Sequence, residues 1–145
     1  MKLPEICIKL KDIIIEVVHC YKEANRDPDL PELSLKQFYY LDVINKMNKP
    51  TFSELAEEFK VTKPAVTAIV KKLINLGYLE RLQSNEDRRV YYILVSDKGK
   101  RLIEFDNNAY NEFAKFVEAS LSEDELEKHI QITKKIIAAY KSKRS

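Results

Sequence analysis

Six cations in the middle of the chain, Lys60, Lys63, Lys71, Lys72, Arg88 and Arg89, are the residues whose type and spacing best suit a chemical task. Each can neutralise a phosphate. Around them stand Thr51 and Thr62, which suit helix starts where backbone N–H groups face an anion, with Ser53 and Thr67 as further hydroxyl residues beside them. Catalysis has no comparable foothold. No Ser/His/Asp set or paired-acid site stands out, and the histidines are only His19 and His129. Cys7 and Cys20 form no CxxC pair, so neither a disulfide framework nor a zinc site is indicated, and both read as packing residues. With Gly77 and Gly99 as its only glycines, the chain spells neither a P-loop nor a GxGxxG. No enzyme activity, metal or cofactor is expected.

The 145 residues, 45% hydrophobic and 33% charged, are enough for one folded domain or one domain with a helical extension. No apolar run approaches the ~18 residues of a bilayer span. The start, MKLPEICIKLKD, mixes acids and lysines into its apolar residues and so lacks a secretory signal. A cytoplasmic protein without a membrane partner is expected. Its net charge of +2 is unevenly placed. Residues 34–103 hold 13 Lys/Arg against 8 Asp/Glu, while residues 1–33 hold 5 against 7 and residues 104–145 hold 7 against 8. A basic centre between mildly acidic ends suits a polyanion.

The elements that must position these cations follow from periodicity. Ile6, Leu10, Ile13, Ile14, Val17, Val18 and Tyr21 recur at helical spacing from about Pro4 to Glu23. The run NRDPDLPELS breaks that helix, and Ser34 caps a second one through Met47, with Phe38, Leu41, Val43 and Ile44 as its buried side. Thr51-Phe52-Ser53-Glu54 spells a capping box for a short helix, Phe52 to Phe59. After the turn Lys60-Val61, Thr62 caps a fourth helix that buries Val66, Ile69, Val70 and Leu73 and stops at Gly77. Two short helices joined by so tight a turn form a helix-turn-helix. The period then changes to two in Tyr78–Leu82 and Arg89–Val95, which predicts a β-hairpin with a charged tip. Ser96 and Ser122 cap two final helices, the second with a repeated capping box.

The fold class is therefore mainly α with a small β-hairpin, an α+β arrangement. A winged helix-turn-helix lobe spans residues 34–103, and residues 1–33 and 104–145 form a helical dimerisation region. Burying Val66, Ile69, Val70 and Leu73 turns Pro64, Ala68, Lys71 and Asn75 outward, flanked by Thr67 and Lys72. In such a lobe this face meets the major groove, and the hairpin tip reaches sideways to backbone or minor groove. Asp87 and Arg89, two apart, are placed to pair and orient the wing, leaving Arg88 pointing outward. The terminal helices carry wide apolar stripes, with Ile6, Leu10, Ile13 and Val17 on the first and Ile130, Ile136, Ile137 and Tyr140 on the last. In so small a chain these ask for a second copy, with an intramolecular bundle as the alternative. A winged helix can also serve as a protein-binding module without DNA.

The runs Leu55–Thr67, Leu73–Arg81, Glu86-Asp87-Arg88-Arg89 and Leu94-Val95-Ser96-Asp97-Lys98-Gly99 resemble the MarR family of bacterial and archaeal transcriptional regulators. The Asp87-Arg88-Arg89 wing followed by the Ser-Asp-Lys-Gly turn is the most specific part. The resemblance implies a homodimer with interlocked first, fifth and sixth helices, carrying two winged lobes onto a pseudo-palindromic double-stranded operator. Its expected function is that of a repressor. It further implies a cleft for a small, often aromatic, anion, for which His19, Tyr39, Tyr40 and Phe105 are the candidates. Two departures matter. Ala68 stands where the family commonly has an arginine or another large polar residue, and offers only a methyl contact to thymine. Cys7 resembles the cysteine of thiol-based redox-sensing members, but Lys11 stands where theirs have a tyrosine.

Overall fold

The computed structural model describes residues 1–144. Its elements are α1 (Leu3–Ala24), α2 (Leu35–Lys46), α3 (Phe52–Phe59), α4 (Lys63–Asn75), β1 (Leu79–Gln83), β2 (Tyr91–Val95), α5 (Asp97–Ser120) and α6 (Glu123–Arg144). A helical chain with one antiparallel hairpin is the fold class expected from the sequence. The chain divides into two compact units. One spans Asn25–Asp106, and the other joins Met1–Ala24 to the segment from Asn107 onward.

In the unit Asn25–Asp106, α3 has only eight residues, too few to hold a helix in water by itself. Its stability comes from Leu55, fully buried against Val66, Val70 and Leu73 of α4 and Leu41 and Ile44 of α2. Each such side chain contributes about 1.5–3 kcal/mol when fully buried. The caps are specific. Ser34 and Gln37 satisfy each other's backbone donors at the start of α2, while Thr51 Oγ1 accepts from Glu54 N at 3.2 Å. The return bond expected from Glu54 is not made among the described residues, so this cap is one-sided. Thr51 instead bridges Tyr92 beside an Ile93 N–H donated to Pro50 O at 2.8 Å, which joins the start of α3 to the hairpin. Between α3 and α4, Lys60 takes a left-handed φ of 53° and its N–H returns to Ala56 and Glu57. Lys49 does likewise at φ 48° after α2.

Three details differ from the sequence expectation. Tyr40 belongs to the core with Leu41 and Ile44, while Phe38 and Val43 are only half-buried, because Tyr40 stacks on Phe59 at 3.9 Å between ring centres. The strands begin later than the alternation suggested, at Leu79 and Tyr91. Tyr78 is held as the end of the α4 turn by its N–H to Leu73 O, and Val90 N–H closes a turn onto Asp87 O. Cys7 and Cys20 are exposed free thiols rather than packing residues, since α1 buries no residue fully in the single chain.

The junction of α4, β1 and α5 is the tightest part of this unit. Gly77 sits at φ +85°, where only glycine is unstrained. Ser96 Oγ donates to Gly77 O and accepts from Gly99 N at 3.0 Å, and Ser96 N donates to Tyr78 O at 3.0 Å. Lys98 Nζ donates to Leu76 O at 3.0 Å and lies over the Tyr78 ring. The Ser-Asp-Lys-Gly run thus closes the end of α4 while starting α5. A Cβ on Gly99 would collide with Tyr78 O and lie 2.7 Å from Val95 Cγ1. Tyr78 reaches further still, its hydroxyl donating to Pro31 O at 2.5 Å next to the Asp27–Arg101 ion pair. The segment before α2 is thereby tied to the lobe.

In the second unit no residue of α1 or α6 is fully buried. The start of α6 has the reciprocal box expected of it: Ser122 N donates to Glu125 Oε2 at 2.9 Å, and Glu125 N donates to Ser122 Oγ at 3.3 Å.

Gly99→Ala is expected to lower stability by about 2–3 kcal/mol, since the collision is with backbone and a branched side chain rather than a flexible tip. The shift of the urea midpoint measures it. A pH dependence follows from Tyr78. Burial, reinforced by the Asp27 carboxylate and opposed by Arg101, pushes its phenol up to about 12 from the ordinary 10.0. The folded chain holds this proton more tightly than the unfolded one, so the contribution is complete below about pH 10 and is lost as pH rises toward 12. The stability gap between the parent and Tyr78→Phe, about 1 kcal/mol near neutrality for one hydrogen bond, should narrow over that window.

Candidate nucleic-acid interface

Helix α4 is capped by Thr62, whose Oγ1 accepts from Ala65 N at 3.3 Å and whose carbonyl accepts from Val66 N. Pro64 has no N–H. The expectation of several free amides at this helix start therefore narrows to one, that of Lys63. With Val66, Val70 and Leu73 fully buried and Ile69 half-buried, the helix leaves Lys63, Pro64, Thr67, Ala68, Lys71, Lys72 and Asn75 exposed. Thr67 Oγ1 is turned back onto Lys63 O at 2.9 Å. No acid occurs anywhere on α4, so its outer face is a short stripe of methyl groups and lysines, and none of these lysines has an ion pair among the described residues. Ser53 is exposed and Thr51 half-buried at the start of α3.

The wing projects from the strands β1 and β2, which pair from Leu79–Val95 to Gln83–Tyr91. Arg81 covers the Tyr91 ring at 4.7 Å, bracing the two strands side by side. Its tip is organised by Asp87, which accepts from Arg89 N at 3.0 Å, Arg89 Nε at 3.1 Å and an Arg89 guanidinium nitrogen at 3.2 Å. These bonds, the side-chain ones first, hold the Asp87 carboxyl below the usual carboxylate range. Arg88 is exposed, its carbonyl accepting from Gln83 Nε2 at 2.8 Å and its guanidinium donating to Gln83 Oε1 at 3.5 Å.

Ser84 is the residue that sequence reasoning passed over. It is buried, and its Oγ accepts from Glu86 N and Asp87 N while its N–H donates to Val90 O. The signal was present in Ser84-Asn85-Glu86-Asp87, since a serine hydroxyl two or three residues before free amides builds this kind of turn.

The other candidates are distributed as follows. Tyr39 is 55% exposed and edge-on to Tyr40 and Phe59, forming an aromatic cluster in which Tyr40 is core. Phe105 is half-buried on α5. His19 is exposed on α1 in the other unit. In that unit Ile6, Leu10, Ile13, Ile130, Ile136, Ile137 and Tyr140 are all exposed in the single chain, as are Ile8, Ile15, Phe116 and Ile132, while Val17 is half-buried. No group of three or more metal-ligating side chains occurs among the described residues. No described helix is long and apolar enough to cross a membrane.

Comparison with known proteins places this geometry in context. A model described as the MarR family matches residues 33–91. The HTH-type transcriptional regulator TcaR of Staphylococcus aureus is 31% identical over 103 residues, 70% of this chain and 68% of that protein. The HTH-type transcriptional regulator BilQ of Clostridioides difficile is 28% identical over 105 residues, covering 70% and 71%. Among solved structures, Streptococcus pneumoniae FabT in complex with DNA shares the fold at a TM-score of 0.69 and 23% identity, over 97% of this chain and 99% of that one.

Proposed function

The chain belongs to the MarR family, a family of HTH-type transcriptional regulators, and from that premise we propose that it binds a pseudo-palindromic double-stranded DNA operator as a homodimer and represses transcription there. One observation carries this reading. The exposed face of α4 holds Lys63, Lys71 and Lys72 and no acid, beside a wing tip on which Arg88 is exposed and, among the described residues, has no carboxylate partner. Such a surface approaches a phosphate backbone without repulsion. The solved complex of FabT with DNA supports a nucleic-acid partner for this fold.

In the proposed complex the outer face of α4, Pro64, Thr67, Ala68, Lys71 and Lys72, meets the major groove, with Lys63 and its amide on a phosphate. Thr51 and Ser53 start α3 beside the backbone. Arg88 enters or borders a minor groove, where negative potential is highest in narrow A·T-rich stretches. Asp87 and Arg89 fix the direction in which it points.

The second copy is supported by the apolar side chains left uncovered on α1, α5 and α6. Large apolar side chains left exposed in such number suit an association site. Ile6, Leu10, Ile13, Val17, Ile130, Ile136, Ile137 and Tyr140 are the proposed seam, and two-fold symmetry would match two lobes to two half-sites. Release by a small aromatic ligand completes the reading, with the half-exposed Tyr39 as the aromatic surface the lobe itself offers. A cytoplasmic location accords with this role.

Titration of salt against affinity for duplex DNA carrying the chain's own promoter tests the proposal: log K should fall linearly with log salt at about −0.9 per neutralised phosphate. A flat response would favour a protein-binding module instead. Arg88→Ala should leave stability within ~0.5 kcal/mol and reduce the slope by about one. Asp87→Ala should weaken binding although it removes a negative charge; tighter binding would overturn its orienting role. For the seam, Ile136→Glu combined with Ile137→Glu should give monomers or insoluble chains in sedimentation, because unpaired charge in an apolar interface is strongly unfavourable. DNA affinity should fall with it.

A further inference from the structure

The N-terminal half of a groove-reading helix does most of the base contact, and on α4 that half is chemically unusual. Its exposed positions are Lys63, Pro64, Ala65, Thr67 and Ala68. Apart from Lys63, none of them makes the bidentate or charged contacts to guanine, adenine or cytosine that Arg, Lys, Asn, Gln, Asp and Glu make. Thr67 keeps no hydroxyl donor for a base, because its O–H already donates to Lys63 O at 2.9 Å, and only its acceptor lone pairs and its methyl remain. Ala65 N–H is likewise spent on the Thr62 cap. Pro64, Ala68 and Lys71 lie close together on one line of the helix at 100° per residue, with Thr67 and Ala65 to either side. The base-facing surface is therefore a cluster of three methyl-bearing side chains and a proline ring, ending one turn later at Lys71.

The one base feature of the major groove that such a surface recognises is the C5-methyl of thymine. We infer that Ala68 and the Thr67 methyl read thymine methyl groups in each half-site, so that specificity at these positions is carried by apolar contact rather than by hydrogen bonds. Lys71 supplies a single longer donor for a neighbouring base edge, and Lys63 and Lys72 flank the stripe at the backbone. This inference rests on the proposed DNA binding and names what the same face selects.

The test begins with selection of duplexes from a random-sequence pool by the full-length chain. The selected duplex is then remade with deoxyuridine for thymidine, which removes only the methyl, first throughout one half-site and then at single positions. Affinity should fall about fourfold for each methyl in contact, the weight of one buried methylene-sized group. Thr67→Ser keeps the hydroxyl and its bond to Lys63 O, and Ala68→Gly deletes the facing methyl; in these variants the thymidine-to-deoxyuridine ratio should drop toward one at the matching position. Circular dichroism confirms that both remain helical. Equal affinity for thymidine and deoxyuridine duplexes, with a steep salt dependence retained, would overturn methyl reading while leaving DNA binding in place. No enriched duplex together with a flat salt response would overturn both.

Discussion

Tyr78 and Gly99 meet with no room for a methyl group between them, and the lobe is arranged around that contact. Three elements converge there. The end of α4 is turned by Gly77, the hairpin starts at Leu79, and α5 begins with Ser96 bonded to Gly77 O, Tyr78 O and Gly99 N. Because the same few atoms close one helix and open the next, the direction of α4 and the direction of the wing are fixed relative to each other. A loosened junction would free α4 and the wing to move separately. Misplacing charges by an ångström or two costs little Coulomb energy in water, but the base contacts proposed for short side chains such as Ala68 would leave no flexible reach to recover the distance. Rigid support matters more for an alanine reader than for an arginine.

Electrostatics on this surface is sorted by partner. Asp87 occupies Arg89, and Asp27 meets Arg101, so these cations are spoken for. Lys63, Lys71 and Lys72 have no acid on their own helix. Exposed ion pairs contribute little to stability, so the Asp87–Arg89 bonds are better understood as fixing geometry than as holding the fold. They act where the chain turns sharply and hold one of its two exposed arginines against a carboxylate.

Most of the fold could be read from the sequence because its signals were local. Thr62, Pro64 and Gly77 marked the bounds of α4, and the switch from helical to alternating spacing after Gly77 marked the hairpin. What could not be read depended on partners distant along the chain. Spacing alone leaves Tyr40 open to either a core or a pocket role, since its companion Phe59 comes 19 residues later and nothing in a helical repeat announces that stacking. The hydroxyl of Tyr78 finds Pro31, 47 residues away. At the candidate interface the lysines and the Asp87–Arg89 pair were legible from type and spacing. Ser84 was missed because its role comes from burial, and the amides at Thr62 were overcounted because capping was treated as leaving donors free. The exposed face of Cys7 and Cys20 depended on how much of α1 the single chain covers.

Every hydrogen bond described at the wing tip, from Gln83–Arg88 through Ser84, Asp87 and Arg89 to Val90, closes within residues 83–90. The hydrogen bonds of the tip therefore involve no residue of the core cluster around Leu55, Val66 and Ile93, which makes the tip a candidate for opening locally. Local openings of this kind have free energies well below that of global unfolding. A duplex that contacts only the closed form would raise the free energy of opening, so residence time on DNA would depend on how often the tip lets go, independently of how stably the lobe is folded.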